Sequence, residues 1–247
     1  PDRMRMVTNL LGIYQRSGLQ KAVHTTGVMK LFPESMATME RVLPQVPKLK
    51  DMKGRPTSLS SIGDVRKKVA FFSGCLMDTM FLETNNATTK LLQLAGCDIV
   101  IPKTQTCCGA LHGHSGEKDL AKDLAKRNIE AFEADGVDYI ITNAGGCGAF
   151  LVDYDHLLKD DPEWKERAVQ FKNKIKDISS ILVELQFHKK KLNVSSQRIT
   201  YQDSCHLRNV QRTFLEPRIL LQSVEGADYV EMKQADHCCG SAGIYNI

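Results

Sequence analysis

The sequence predicts an α/β protein built from two pseudo-repeated, parallel βαβ-type cysteine-rich units behind a helical N-terminal extension. Three observations carry that expectation. Short apolar runs ending in glycine or proline alternate with helical periodicity from Val65 onward, which is the pattern of parallel βαβ units. The doublet "CCG" occurs twice, at Cys107–Cys108–Gly109 and at Cys238–Cys239–Gly240. The residues between each doublet and the cysteine upstream of it number 31 from Cys75 to Cys107 and 32 from Cys205 to Cys238, the mark of an internal duplication.

The elements follow in order. "MVTNLLGIYQRSGLQKAV" spaces Leu10, Leu11, Tyr14 and Leu19 along one helical face, and "PESMATMERVL" adds a shorter helix behind Pro33. "KLKDMKGRPTSLSSIGD" is polar and rich in Gly, Pro and Ser, so it reads as a linker. Residues 1–62 are therefore assigned to the extension and linker. The first cysteine-rich unit is assigned to 63–160. In it "KKVAFFSG" is a buried strand, "DTMFLETNNATTKLLQLAG" a helix closed by Gly96, and "CDIVIP" a second strand. "SGEKDLAKDLAKRNIEAFEADG" is a helix with Ser115 as N-cap and Leu120, Leu124, Ile129 and Phe132 on its apolar side, and "VDYIITNAGGCG" is a third strand running into Cys147.

Residues 161–247 hold a connecting helix, "PEWKERAVQFKNKIKDI", that starts near Asp161–Pro162–Glu163, and then the second unit. There "RITYQDSCHLR" parallels "KVAFFSGCLMD". "FLEPRILLQSVEG" is a helix ending in Gly226, and "ADYVEMKQADHCCGSAG" parallels "CDIVIPKTQTCCGALHG". The second copy stops where its last strand is due. Together with an opening Pro1 in place of Met, this reads as a piece of a longer protein.

Composition bounds the function class. The 247 residues are 42% hydrophobic and 25% charged with a net charge of +4, the profile of a globular chain. The run "HKKKL" reads as a solvated helix end, so no nucleic-acid partner is expected. No apolar stretch is long enough to span a bilayer and no secretory signal is present, giving an expectation of a cytoplasmic protein, peripheral at most to the inner membrane. That compartment, with cysteines that adjoin one another, argues against disulfide staples and for metal or thiol chemistry.

In each copy the cysteines fall at strand ends or the helix starts that follow, and in a parallel sheet such ends share one edge, where ligands bind. Helix N-termini there favour negative charge, and the glycines at 74, 109, 145, 146 and 148 let backbone come close to a bulky inorganic core. Three ligands fit convergent thiolates: an iron–sulfur cluster, whose irons lie far enough apart for adjacent cysteines to reach different ones; a structural zinc, which usually takes CxxC knuckles; or a dithiol–disulfide couple. Cys97 has Ala227 as its counterpart and reads as a core thiol, and Trp164 as packing. His112, His114, His206 and Arg208 are candidates to tune a cluster or simply to pair and cap at the surface, and Asp203 is a candidate to orient its loop.

The strings "GC-x31-CCG…GCG" and "SCHLR-x29-CCGSAG" resemble the duplicated cysteine-rich CCG domain of the heterodisulfide reductases and their relatives. Within that family "CCGALHGHSGE", "TNAGGCGA", "YQDSCHLRNVQ" and "CCGSAGIYN" are most similar to glycolate oxidase iron–sulfur subunits, over about Val69 to Ile247. The resemblance implies an electron-transfer subunit of a 2-hydroxy acid dehydrogenase, with FAD on a partner flavin subunit, a quinone-type or membrane acceptor, and hetero-oligomeric assembly. It implies iron–sulfur ligation, of the four-iron four-sulfur type in cubane or non-cubane form, by Cys75, Cys107, Cys108, Cys147, Cys205, Cys238 and Cys239. It also implies a ferredoxin-like domain ahead of Pro1. One departure stands out: the fullest family motif ends its first copy in CxxC, whereas here Ala144 stands three before Cys147, leaving four thiolates in that copy. Lactate-utilisation, glycerol-3-phosphate dehydrogenase and heterodisulfide-type subunits are the related alternatives, and a zinc-stabilised interaction module the unrelated one.

Overall fold

The computed structural model describes residues 2–48, 51, 55–133, 136–238 and 240. The chain divides into two compact units, one of Pro1–Arg55 with Cys75–Asn86 and one of Pro56–Gly74 with Ala87–Ile247.

The first unit is helical: α1 (Asp2–Arg16), α2 (Leu19–Thr26), α3 (Glu34–Arg41) and the short α4 (Leu76–Thr79). Pro33 sits at the N-cap of α3, as the sequence predicts. Glu40 ties three helices together, accepting hydrogen bonds from Tyr14 of α1 at 3.0 Å and Gln20 of α2 at 3.0 Å, with His24 at 2.6 Å. Those donors, Gln20 foremost, hold the Glu40 carboxyl below the usual carboxylate range. The predicted apolar face is only partly used. Leu11 and Tyr14 are half-buried, but Leu10 and Leu19 remain more than 50% exposed.

The second unit carries a five-stranded sheet in the order β1–β3–β2–β4–β5: β1 (Ser58–Leu59), β2 (Lys67–Phe71), β3 (Cys97–Val100), β4 (Tyr139–Thr142) and β5 (Ile175–Asp177). The four strands β2 to β5 run parallel, and β1 pairs antiparallel on the edge. Both faces of β2 are covered, so its sequence is a continuous apolar run with a two-residue period hidden inside it. Ala70 and Phe72, with Ile140, face a core built by α7 (Lys118–Glu133), α8 (Gly145–Val152), α9 (Tyr154–Leu157) and α10 (Lys165–Lys174). Val69, Phe71, Ile99 and Ile141 face the other way, onto α11 (Ile178–Glu184) and Leu92 and Ala95, the end and close of α5 (Leu82–Leu94). Burying one such Phe or Ile is worth about 1.5–3 kcal/mol relative to leaving it in water.

A separate two-stranded parallel sheet joins β6 (Asn193–Ile199) to β7 (Glu225–Tyr229), with α12 (Cys205–Asn209) and α13 (Glu216–Gln222) between them. This βαβ unit is the counterpart of β2–α5–β3, and the expected α/β class with parallel pairing holds.

Several local expectations are corrected. Ser115 does not start α7. It ends the preceding helix α6 (Ala110–His114), its hydroxyl donating back to the Leu111 carbonyl at 2.8 Å, and α7 begins at Lys118. The buried stripe of α7 is Ala121, Ala125, Asn128, Ile129 and Phe132, which leaves Leu120 48% exposed. The predicted connecting helix stops at Lys174, and the "IKD" that follows is the strand β5, because Ile175–Asp177 pair in register with Ile140–Thr142. The linker contributes the edge strand β1. Gly226 does not close a helix either, since α13 ends at Gln222 and Gly226 lies within β7.

Candidate metal centre

The loops that follow β3 and β4 deliver Cys107, Cys108 and Cys147 to one end of the sheet. Cys147 is the third residue of α8, in the first turn, where unsatisfied backbone N–H groups favour an anion. Cys108 is 3% exposed and belongs to the hydrophobic core, with Cys107 and Cys147 packed against it. The three sulfurs interact. Hydrogen bonding with Cys107 and Cys147, reinforced by burial, pushes the Cys108 thiol well above the ordinary thiol range. The same contact holds Cys147 below it, because the Cys108 thiol donates to the Cys147 sulfur. Three such sulfurs cannot all be anionic in a buried site unless a cationic group joins them, and thiolates are what a metal centre recruits. The donor set therefore fits an iron–sulfur group, which would be held by Cys107, Cys108 and Cys147. Among the described residues no three His, Cys, Asp or Glu side chains are placed so that they could hold a single metal ion.

A polar clamp holds the doublet, and nothing in the motif itself announces it. Asn128, fully buried on α7, accepts from the Thr106 N–H at 2.8 Å and donates through Nδ2 to the Cys107 carbonyl at 3.0 Å. Tyr154, fully buried on α9, donates to the Cys108 carbonyl at 2.6 Å. Gln105 bridges to the end of β2, accepting from the Ser73 N–H at 2.8 Å and donating to the Phe71 carbonyl at 3.3 Å. One signal for the clamp is legible in the sequence: Asn128 is a polar residue set into an apolar stripe at i, i+3, i+4 spacing with Ala125, Ile129 and Phe132. Tyr154 gives no such signal.

Gly109 follows with φ +87°, a left-handed conformation that a side chain would strain, and its N–H donates to Cys107 Sγ at 3.5 Å. The same contact recurs in the second copy, where the Gly240 N–H donates to Cys238 Sγ at 3.4 Å. Cys238 is exposed, and Cys239 lies outside the described residues.

Cys205 is the first residue of α12, and α12 packs on α8. The approach is close enough that a Cβ on Gly145 would come within 2.6 Å of Ser204 Oγ, so α8 needs glycine there. Gln211 donates to the Gly145 carbonyl at 3.3 Å, and the rings of His114 and His206 are 6.0 Å apart. The start of the second copy is thus seated beside the Cys147 helix. Asp203 has a buried carboxylate on which Arg208 at 2.6 Å and Arg218 at 2.7 Å converge, and its N–H donates to the Ala235 carbonyl at 2.9 Å. It orients the Cys205 loop against the second doublet loop, and Arg208 serves that structural pairing.

Cys75 belongs to the helical unit, where it is half-buried at the N-cap of α4 and its carbonyl accepts from Thr79 Oγ1 at 2.9 Å. Cys97 is a core thiol at the start of β3, pushed up to about 11 by burial, and Trp164 is core packing, both as expected. Among the described residues no helix is long and apolar enough to cross a membrane.

Residues 69–152 and 199–247 match the family described as the CCG cysteine-rich domain. The chain belongs to that family. Residues 1–43 match a second family, described as the linker region of the glycolate oxidase iron–sulfur subunit. The CCG chain is 68% identical over all of its 247 residues to a probable glycolate oxidase iron–sulfur subunit of Bacillus subtilis, and spans 56% of that protein. It is 34% identical over 180 residues to lactate utilization protein A of Oceanobacillus iheyensis, covering 73% of each chain. With an uncharacterized iron–sulfur protein of Methanococcus maripaludis it shares 36% identity over 179 residues, 72% of this chain and 33% of that one.

Proposed function

We propose that this CCG chain is part of the iron–sulfur subunit of a glycolate (2-hydroxy acid) oxidase or dehydrogenase. In that complex a flavin subunit carrying FAD oxidises the hydroxy acid, and this subunit relays the electrons toward a quinone-type acceptor. The assembly is a hetero-oligomer on the cytoplasmic side, peripheral to the membrane.

The single observation that carries the reading is the meeting of Cys107, Cys108 and Cys147 sulfurs in a chain 68% identical to a named iron–sulfur subunit. The sequence resemblance adds Cys75 to the ligand set of a four-iron four-sulfur group, and assigns Cys205, Cys238 and Cys239 to a second one. When bound, the group supplies one-electron redox chemistry. The chain's own residues bury the sulfurs, fix the doublet's peptides and present the first turn of α8 to a negative charge. The 34% identity to lactate utilization protein A makes another 2-hydroxy acid the second reading, since the substrate would lie on the flavin subunit.

Anaerobic purification followed by iron and acid-labile sulfide analysis, with EPR of the dithionite-reduced protein, tests this. The reading expects about four irons and four sulfides for an occupied first site. Stoichiometric zinc without an EPR-active reduced state would replace it with a zinc-stabilised module.

A further inference from the structure

The peptide that joins Cys108 to Gly109 is gripped at both ends. Its carbonyl oxygen accepts the Tyr154 hydroxyl at 2.6 Å, and its N–H donates to Cys107 Sγ at 3.5 Å. A planar trans peptide points its C=O and N–H in opposite directions, so fixing the oxygen fixes the direction of the hydrogen. The phenol itself is fixed. Its oxygen accepts from Asn128 Nδ2 at 3.0 Å, which leaves its hydrogen for the Cys108 carbonyl. Its ring stacks on Phe171 at 5.4 Å and meets Phe150 edge-on at 5.9 Å. Hydrogen bonds in such a chain polarise one another, and here the chain runs from Asn128 through Tyr154 and the peptide to a sulfur.

We propose that Tyr154 is a positioning residue for the first sulfur site: through the Cys108–Gly109 peptide it aims an N–H at Cys107 Sγ and so sets the electron density on that sulfur. This rests on the iron–sulfur reading. An N–H donated to a ligand sulfur stabilises the more negative, reduced state of the group, which raises its reduction potential. Tyr154 does so without touching the sulfur, from the core side of the doublet.

The test is Tyr154→Phe in the intact protein, purified anaerobically and read by EPR-monitored redox titration and by hydrogen exchange at the Gly109 amide. The expected result is a midpoint potential more negative than that of the wild type, with iron content unchanged and faster exchange at Gly109. An unchanged potential in a variant that retains its iron overturns the proposal. Phe171→Leu is the packing control, because it removes the ring stack and keeps the hydroxyl. It should lower the melting temperature and leave the potential alone, and an equal potential shift in both variants overturns the proposal. If Tyr154→Phe does not fold, 3-fluorotyrosine at position 154 replaces it as a stronger donor, and a potential that fails to rise is the contrary result. A wild type that binds no iron or sulfide sinks the iron–sulfur reading, while the Gly109 exchange comparison still decides the clamp.

Discussion

The two CCG repeats write nearly the same words and place them in different surroundings. In the first, β2 lies at the centre of a five-stranded sheet with helices on both faces, and Cys108 is sealed in the core. In the second, β6 pairs with β7 alone, its residues are exposed along almost their whole length, and Cys238 faces solvent. The N–H-to-sulfur contact is common to both, at 3.5 and 3.4 Å. The contact therefore belongs to the Cys-Cys-Gly triplet, whereas burial and the Asn128–Tyr154 clamp belong to α7 and α9. The second repeat orders its loops with charge instead, through Asp203 and its two arginines. A motif supplies the donor atoms, and its neighbours decide how firmly they are held.

Four substitutions probe that contrast, taken from the largest effect to the smallest. Cys108→Ser should empty the first site of iron while circular dichroism stays near that of the wild type. Full iron retention would remove Cys108 from the ligand set. Asn128→Ala strands the Thr106 N–H and the Cys107 carbonyl in the core, at roughly 1–3 kcal/mol for a buried group left unpaired, so a loss of about 3 kcal/mol in denaturant unfolding is expected. A loss below about 0.5 kcal/mol would mean the doublet is not clamped from α7.

Asp203→Asn leaves two partly exposed arginines without their shared charge. It should cost about 2 kcal/mol, with faster hydrogen exchange confined to residues 193–238. Exchange that rises equally across β2 and β4 would deny that the second repeat has its own fastening. The smallest effect is a pH dependence. Arg218 and then Tyr229 hold the Glu231 carboxyl down to about 2, against an ordinary value near 4.5. A depressed carboxylate stabilises the fold above its unfolded value, and that contribution is lost as pH falls from about 4.5 to about 2. Glu231→Gln should therefore lower the melting temperature by a small, constant amount above pH 5, and the difference from the wild type should shrink away as pH falls from about 4.5 to about 2. The effect is small because Glu231 is half-exposed and screened.

Much of the fold was legible because it rests on local patterns. The strand runs at "KVAFF" and "YIIT", the Pro33 helix start, and the duplication itself all read directly, as did the placing of Cys107, Cys108 and Cys147 at the end of the sheet. What escaped depends on tertiary pairing. β5 looks helical in isolation because "KNKIKDI" continues the preceding helix, and pairing with Ile140–Thr142 overrides that propensity. Ser115 has the chemistry of an N-cap, but the same hydroxyl serves equally well on the carbonyls that end α6. At the candidate site, the cysteines announce themselves by type and spacing. Of their supports, Asn128 shows itself as a polar residue in an apolar helical stripe, whereas Tyr154 and Gln105 act through main-chain groups far away in sequence, which no spacing rule encodes.

The most direct measurement is differential cysteine alkylation of the anaerobic protein, before and after iron chelation, with mass spectrometry of each site. Cys97 serves as an internal standard, since it is buried without belonging to the site. The account predicts that Cys107, Cys108 and Cys147 resist alkylation until iron is removed and then react, while Cys97 stays protected until the protein unfolds. Equal labelling of those three cysteines with and without iron would contradict it.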